Sequence, residues 1–134
     1  MSIAVGVVLA LVVGGVTTLF GLDRDRALYP AVMIVIASYY ALFAVMGGST
    51  GVLVIESAIA AVFASVALVG FKSSLWLVVV ALAAHGIFDF GHAHLYANPG
   101  VPRWWPSFCL AYDVVAAAYL AGLLASKRVR ASVA

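Results

Sequence analysis

Apolar residues fill five long blocks of the chain, and each block is closed by a short break of charged residues, glycines or prolines. The blocks cover approximately residues 3–20, 28–46, 52–70, 75–96 and 108–125. A helix rises about 1.5 Å per residue, so crossing a hydrocarbon core of about 30 Å takes about 20 of them. Each block has about that length. The pattern predicts an all-α fold, a single integral membrane domain over residues 1–134 built as a polytopic bundle of five transmembrane helices. In the first block Gly6, Ala10, Gly14 and Thr18 recur every four residues. Small residues at that spacing let two helix backbones approach closely, so this stripe predicts helix packing.

The breaks fit short connections. Residues 21–26 form a charged turn, in which Asp23 and Asp25 are expected to pair with Arg24, Arg26 or water at the surface. Residues 47–51 are an uncharged turn and residues 71–74 a tight one, with Ser73 or Ser74 as N-cap of the fourth helix. Residues 98–106 are the longest loop, stiffened by three prolines and carrying Trp104 and Trp105, whose amphipathic rings suit a membrane–water interface. Ser107 is placed to cap the fifth helix. Pro30 falls in the first turn of the second helix, where its missing N–H would be unpaired anyway.

Composition supports the same class. The chain is 66% hydrophobic and 9% charged, with a mean hydropathy of +1.20. Soluble domains are about half apolar and about a quarter charged. So apolar a chain would expose more hydrocarbon than a soluble monomer tolerates, and its first partner is the lipid bilayer. With five spans, Arg24, Arg26, Lys72, Lys127, Arg128 and Arg130 share one side, and Arg103 alone lies opposite. The positive-inside rule then puts the N-terminus out and the C-terminus in, in the cell inner (cytoplasmic) membrane. The first block lacks a preceding basic segment and reads as a retained helix. Basic residues confined to helix ends offer no surface for nucleic acid. One cysteine, Cys109, excludes an intrachain disulfide and a cysteine-cluster metal site, and it reads as a small buried apolar residue.

The polar residues inside the apolar blocks carry the functional signal. His85, Asp89 and His92 follow i, i+4, i+7 in the fourth block and share one face, extended by Tyr96. An Asp at the centre of a membrane helix costs roughly 2.5–3.5 kcal/mol on insertion scales, so such a stripe should face protein, water or a metal. Glu56 and Asp113 lie in the third and fifth blocks. Counted along each helix, Glu56 falls about 6 Å, Asp113 about 9 Å and Asp89 about 10 Å below the outer ends, level with Tyr39 and Tyr40. The coincidence predicts one shared site in the outer half of the bundle. His94 falls off the column near the interface and is expected to be solvated.

Four readings of that site stay open. Asp89-x-x-His92 has the spacing of the carboxylate–histidine pair used by dimetal helix bundles. His85, Asp89 and His92, with Glu56 and Asp113 as further carboxylates, would suit one or two divalent transition-metal ions such as zinc, iron or manganese. Alternatively Asp89, Asp113 and Glu56 act as acid–base groups on a lipophilic ligand, with His85 and His92 as proton partners. Carboxyls in apolar surroundings stay neutral closer to pH 7 and can serve as acids. Tyr39, Tyr40, Phe88, Phe90, Tyr96, Trp105 and Tyr112 would line the pocket. A proton- or ion-coupled transporter is the third reading; at this size it would be a homo-oligomer, and it would need polar groups in the other half, which holds only Thr17, Thr18, Ser38 and Ser65. An accessory or assembly subunit with a structural polar core is the fourth.

The run His85-Gly-x-x-Asp89-x-x-His92, followed by Pro102-x-Trp-Trp-Pro-x-Phe-Cys-x-x-Tyr-Asp113, resembles a family of small, uncharacterised bacterial multi-pass membrane proteins. The resemblance covers about the last third of the chain. It implies no activity and no catalytic residues. It implies that the fourth helix, the tryptophan loop and the start of the fifth helix form one unit.

Overall fold

A computed structural model of the chain, which describes residues 1–133, contains five helices: α1 (Ser2–Phe20), α2 (Leu28–Met46), α3 (Thr50–Lys72), α4 (Trp76–Leu95) and α5 (Trp105–Ala125). All five are long and apolar enough to cross a membrane. Most large apolar side chains on their outer faces are exposed, among them Val8 and Val12 on α1, Val54 and Val62 on α3, and Val80 and Ile87 on α4. That surface is consistent with lipid contact, since the bilayer is the solvent an apolar exterior requires.

Several helix ends differ from the expectation by local chemistry. α3 starts at Thr50, because Ser49 takes an extended conformation and its hydroxyl accepts from the Val52 amide at 3.4 Å. α5 starts at Trp105, with Pro106 in its first turn, so Ser107 lies within the helix and does not cap it. α4 is capped by Leu75, and the Ser74 hydroxyl accepts from the Trp76 amide at 3.4 Å.

Neighbouring helices run α1–α5–α4–α3–α2, with α2 also touching α4. The small-residue stripe of α1 faces α5. A Cβ added at Gly6 would fall 2.5 Å from the Phe108 carbonyl oxygen, and one at Gly14 would fall 3.0 Å from the Tyr119 ring. The buried member of the last turn is Thr17, not Thr18. The main apolar core lies toward the end that holds the α1–α2 turn, where Met33, Leu75, Val78, Leu82 and Leu120 are fully enclosed.

That end is tied by polar contacts. The Arg26 guanidinium donates to the Phe71 carbonyl at 2.9 Å and the Arg130 carbonyl at 3.2 Å. The C-terminal tail pairs with the α3–α4 turn through Leu75 N–H to Ala131 O, 2.7 Å. Asp23 does not lie on the surface as expected: it is buried, and it accepts from the Thr18 hydroxyl at 2.7 Å, which in turn accepts from Tyr119 at 3.1 Å. Asp25 accepts from the Ala27 amide. The acids of this turn therefore organise backbone and neighbouring hydroxyls, and Arg26 binds carbonyls.

Candidate functional site

The intramembrane polar residues gather in the half of the bundle near the α2–α3 turn and the α4–α5 loop, and they form two groups instead of one. α4 lies between α3 and α5, so its polar column can address either neighbour. His92 turns to α3 and His85 to α5.

The first group surrounds Glu56. Its Oε1 is 2.7 Å from His92 Nε2 and accepts from Asn98 Nδ2 at 2.9 Å, and its Oε2 accepts from the Tyr96 hydroxyl at 2.9 Å. Asn98 Nδ2 also reaches the Tyr40 carbonyl at 3.1 Å, and Asn98 Oδ1 accepts from the Gly100 amide at 3.3 Å. Glu56, His92 and Asn98 are all buried. Both oxygens of the carboxylate are occupied, so this group is satisfied as it stands. It joins α3, α4, α2 and the α4–α5 loop. Asn98 was not anticipated: in the sequence it opens an Asn-Pro-Gly turn, and nothing local marks it as a partner of Glu56.

The second group is His85, Asp89 and Asp113. His85 Nδ1 is 2.7 Å from Asp113 Oδ2 and 3.3 Å from Asp89 Oδ2. All three side chains are essentially inaccessible, at 1% for His85 and 0% for both acids. The geometry reflects a close α4–α5 approach at Gly86, where an added Cβ would fall 3.1 Å from Asp113 Cβ and 3.3 Å from the Leu110 carbonyl oxygen. The 3.3 Å separation between His85 and Asp89 lacks hydrogen-bond geometry, so Asp89 Oδ1, Asp89 Oδ2 and Asp113 Oδ1 have no partner among the described residues. The buried Tyr40 hydroxyl and the Cys109 thiol both approach Asp89, neither with good hydrogen-bond geometry. One donor atom from each of His85, Asp89 and Asp113 falls within 4.8 Å of the others, a set that could hold a metal ion. Of the expected trio, His85 and Asp89 meet each other and Asp113, while His92 faces Glu56.

Aromatic rings separate the groups. The Tyr40 and His92 rings lie 4.3 Å apart, Phe88 meets His92 edge-on at 5.5 Å, and Phe63 meets His85 edge-on at 4.8 Å. Tyr40 and Phe88 are therefore spacers between the two histidines. Tyr96 is bound to Glu56, and Phe90 faces outward and is exposed. His94 is exposed, as expected.

A cleft of about 980 Å³ opens between α1, α2 and α5. α1 and α2 are consecutive in the chain but do not pack along each other, which leaves this gap in the bundle wall. Of the expected pocket residues, Tyr39, Trp105 and Tyr112 line it, joined by Phe108, Ile36 and Leu9. Tyr39 meets Trp105 at 5.0 Å between ring centroids. Cys109 both lines the cleft and neighbours Asp89, so the second group lies directly behind this part of the cleft wall.

No family model, curated protein or solved structure matches the chain. The likeness noted over residues 85–113 therefore brings no assigned family, and function rests on the site.

Proposed function

We propose that the chain is a membrane enzyme that admits a lipophilic substrate sideways into the α1/α2/α5 cleft and acts on it at Asp89, His85 and Asp113 by acid–base or metal-assisted chemistry. The supporting observation is Asp89, fully buried with neither carboxylate oxygen paired, behind the wall of a cleft lined by aromatic rings. A buried carboxyl left without partners is costly unless something else meets it. A volume of about 980 Å³ is at the upper end of small-molecule sites. In this reading Asp89 exchanges a proton with the substrate, His85 holds the proton between the two carboxylates, and Asp113 orients the imidazole. Tyr39, Trp105 and Tyr112 hold the apolar part of the substrate. The distribution of basic residues supports an orientation with the N-terminus out, so the cleft would open to the outer leaflet.

Two observations weigh on the alternatives. The Thr17, Ser38 and Ser65 hydroxyls each bond to a carbonyl of their own helix and Thr18 bonds to Asp23, so each already has a partner within the protein. The satisfied Glu56 group favours a structural role for that half of the polar layer, so Glu56 and His92 are assigned to architecture.

The test is lipid mass spectrometry of the detergent-purified protein. The wild-type chain should carry a lipophilic species enriched over the bulk membrane. Leu9→Trp/Val35→Trp, which fills the cleft from two exposed wall positions, should lose it, and Asp89→Asn should retain it. No enriched species in the wild type, or equal enrichment in the filled variant, would refute the proposal.

A further inference from the structure

We propose that His85, Asp89 and Asp113 bind one divalent first-row transition-metal ion. The inference rests on the site proposed above and names what that site holds. Its first support is geometric. Ions that bind imidazole nitrogen and carboxylate oxygen at about 2.0–2.2 Å hold neighbouring donor atoms about 3.3 Å apart at tetrahedral angles. His85 Nδ1 stands 3.3 Å from Asp89 Oδ2 and 2.7 Å from Asp113 Oδ2, and donor atoms of all three residues lie within 4.8 Å of one another, close enough to converge on one ion. A single ring nitrogen facing two carboxylates is a poor hydrogen-bond arrangement, because one N–H cannot serve both well. It is a good arrangement for a shared cation.

The second support is charge. Two carboxylates meet one imidazole, and every Lys and Arg lies at or beyond a helix end. No fixed cation of the chain reaches the cluster, so the counter-charge must be protons or a metal. Asp89 has no hydrogen bond of good geometry on either oxygen, and Asp113 none on Oδ1, so acceptor positions stay free for an ion. The third support is the Tyr40 hydroxyl, buried to 2% exposure and close to Asp89 without a hydrogen bond of good geometry to it. A water or hydroxide on the ion would give it a partner.

One nitrogen and two carboxylate oxygens suit zinc, iron(II) or manganese(II). Calcium, which takes six to eight oxygens, is a poor fit. Three protein donors leave a coordination position open, the pattern of catalytic rather than structural sites. The side of the cluster nearest Cys109 leads to the cleft.

The experiment uses the full chain in detergent, stripped with chelator, incubated with Zn(II), Mn(II) or anaerobic Fe(II), and measured by elemental mass spectrometry. The expected result is about one equivalent of one of these metals. His85→Gln and Asp113→Asn should each weaken binding by at least about tenfold, the lower limit seen even for loss of an outer partner. His92→Gln should keep the equivalent, because His92 serves Glu56. Cobalt(II) substitution of the wild type gives a readout that needs no variant: intense visible bands of a low-coordinate ion are expected. A folded wild-type protein that takes up none of the metals, an equivalent that survives both ligand substitutions, or a cobalt spectrum like that of the free aquo ion would each overturn the proposal. Measuring lipid in the same preparation separates the two claims. Metal without an enriched lipid refutes the cleft reading alone, and lipid without metal refutes this inference alone.

Discussion

Replacing Glu56 should unfasten one end of the bundle. In Glu56→Ala three buried or half-buried donors lose their acceptor: His92 Nε2, Asn98 Nδ2 and the Tyr96 hydroxyl, now held at 2.7, 2.9 and 2.9 Å. Interhelical hydrogen bonds in membranes contribute about 0.6 kcal/mol on average and up to about 1.7. Three lost together give a destabilisation of about 2–5 kcal/mol, toward the upper value because Glu56 is only 1% exposed and the orphaned donors have little water to turn to. Glu56→Gln is the sharper probe. Oε1 carries two of the bonds, so the amide oxygen can keep His92 and Asn98 while its NH₂ meets the Tyr96 hydroxyl as acceptor. What is lost is charge assistance, and the cost should fall to about 1–2 kcal/mol. The assay is equilibrium unfolding by SDS in mixed micelles, with proteolysis of the α4–α5 loop as a local readout. If Glu56→Ala lies within about 0.5 kcal/mol of wild type, the carboxylate is not the fastening argued here. If Gln is as damaging as Ala, shape and hydrogen-bond count are not what matter.

Two shorter predictions test the α4–α5 seam and the orientation. Gly86→Val should destabilise by about 1–3 kcal/mol, since even its Cβ would press on Asp113 and Leu110, while Gly91→Ala on the same helix, with nothing within 4 Å, should stay within about 0.5 kcal/mol; equal effects in SDS unfolding would refute the close approach. For orientation, a membrane-impermeant maleimide should label Ala97→Cys in intact cells and Ser126→Cys only after permeabilisation, with native Cys109 buried and silent; the reverse pattern would refute an N-out arrangement.

How much of this was legible in sequence follows from what is local. The five helices were, because length and apolarity are properties of each segment alone, and α2 falls on 28–46 as read. Helix starts were less so. Ser107 looks like a cap, but Pro106 is tolerated in a first turn, and the helix begins before both. The polar layer was legible as a depth coincidence. Its division was not: His85 and His92 share one face of α4, and sequence does not tell which neighbouring helix each ring will meet. Asn98 was hidden because Asn before Pro-Gly already has a complete local explanation as a turn residue. Asp23 was hidden for a related reason, since a charged turn suggests surface pairing and only the fold brings Thr18 and Tyr119 beside it.

The two histidine–carboxylate groups differ in how far their acceptors are satisfied. Around Glu56 every strong acceptor site is filled, and the bonds reach α2, α3, α4 and the α4–α5 loop. Around Asp89 no hydrogen bond of good geometry is made, although His85, Tyr40 and Cys109 stand near it. Tyr40 connects them: its carbonyl is held by Asn98, its ring packs at a tilt against His92, and its hydroxyl stands beside Asp89. An unpaired carboxylate keeps its position only if the surrounding groups cannot move to satisfy it, and here the neighbouring network holds Tyr40 by its backbone and its ring. The rigid group thus makes the unsatisfied one possible. His92→Gln removes one of the three bonds to Glu56 and should leave that hold in place, whereas Glu56→Ala removes all three and should lower the metal equivalent read by elemental mass spectrometry; an unchanged equivalent in Glu56→Ala would refute the coupling.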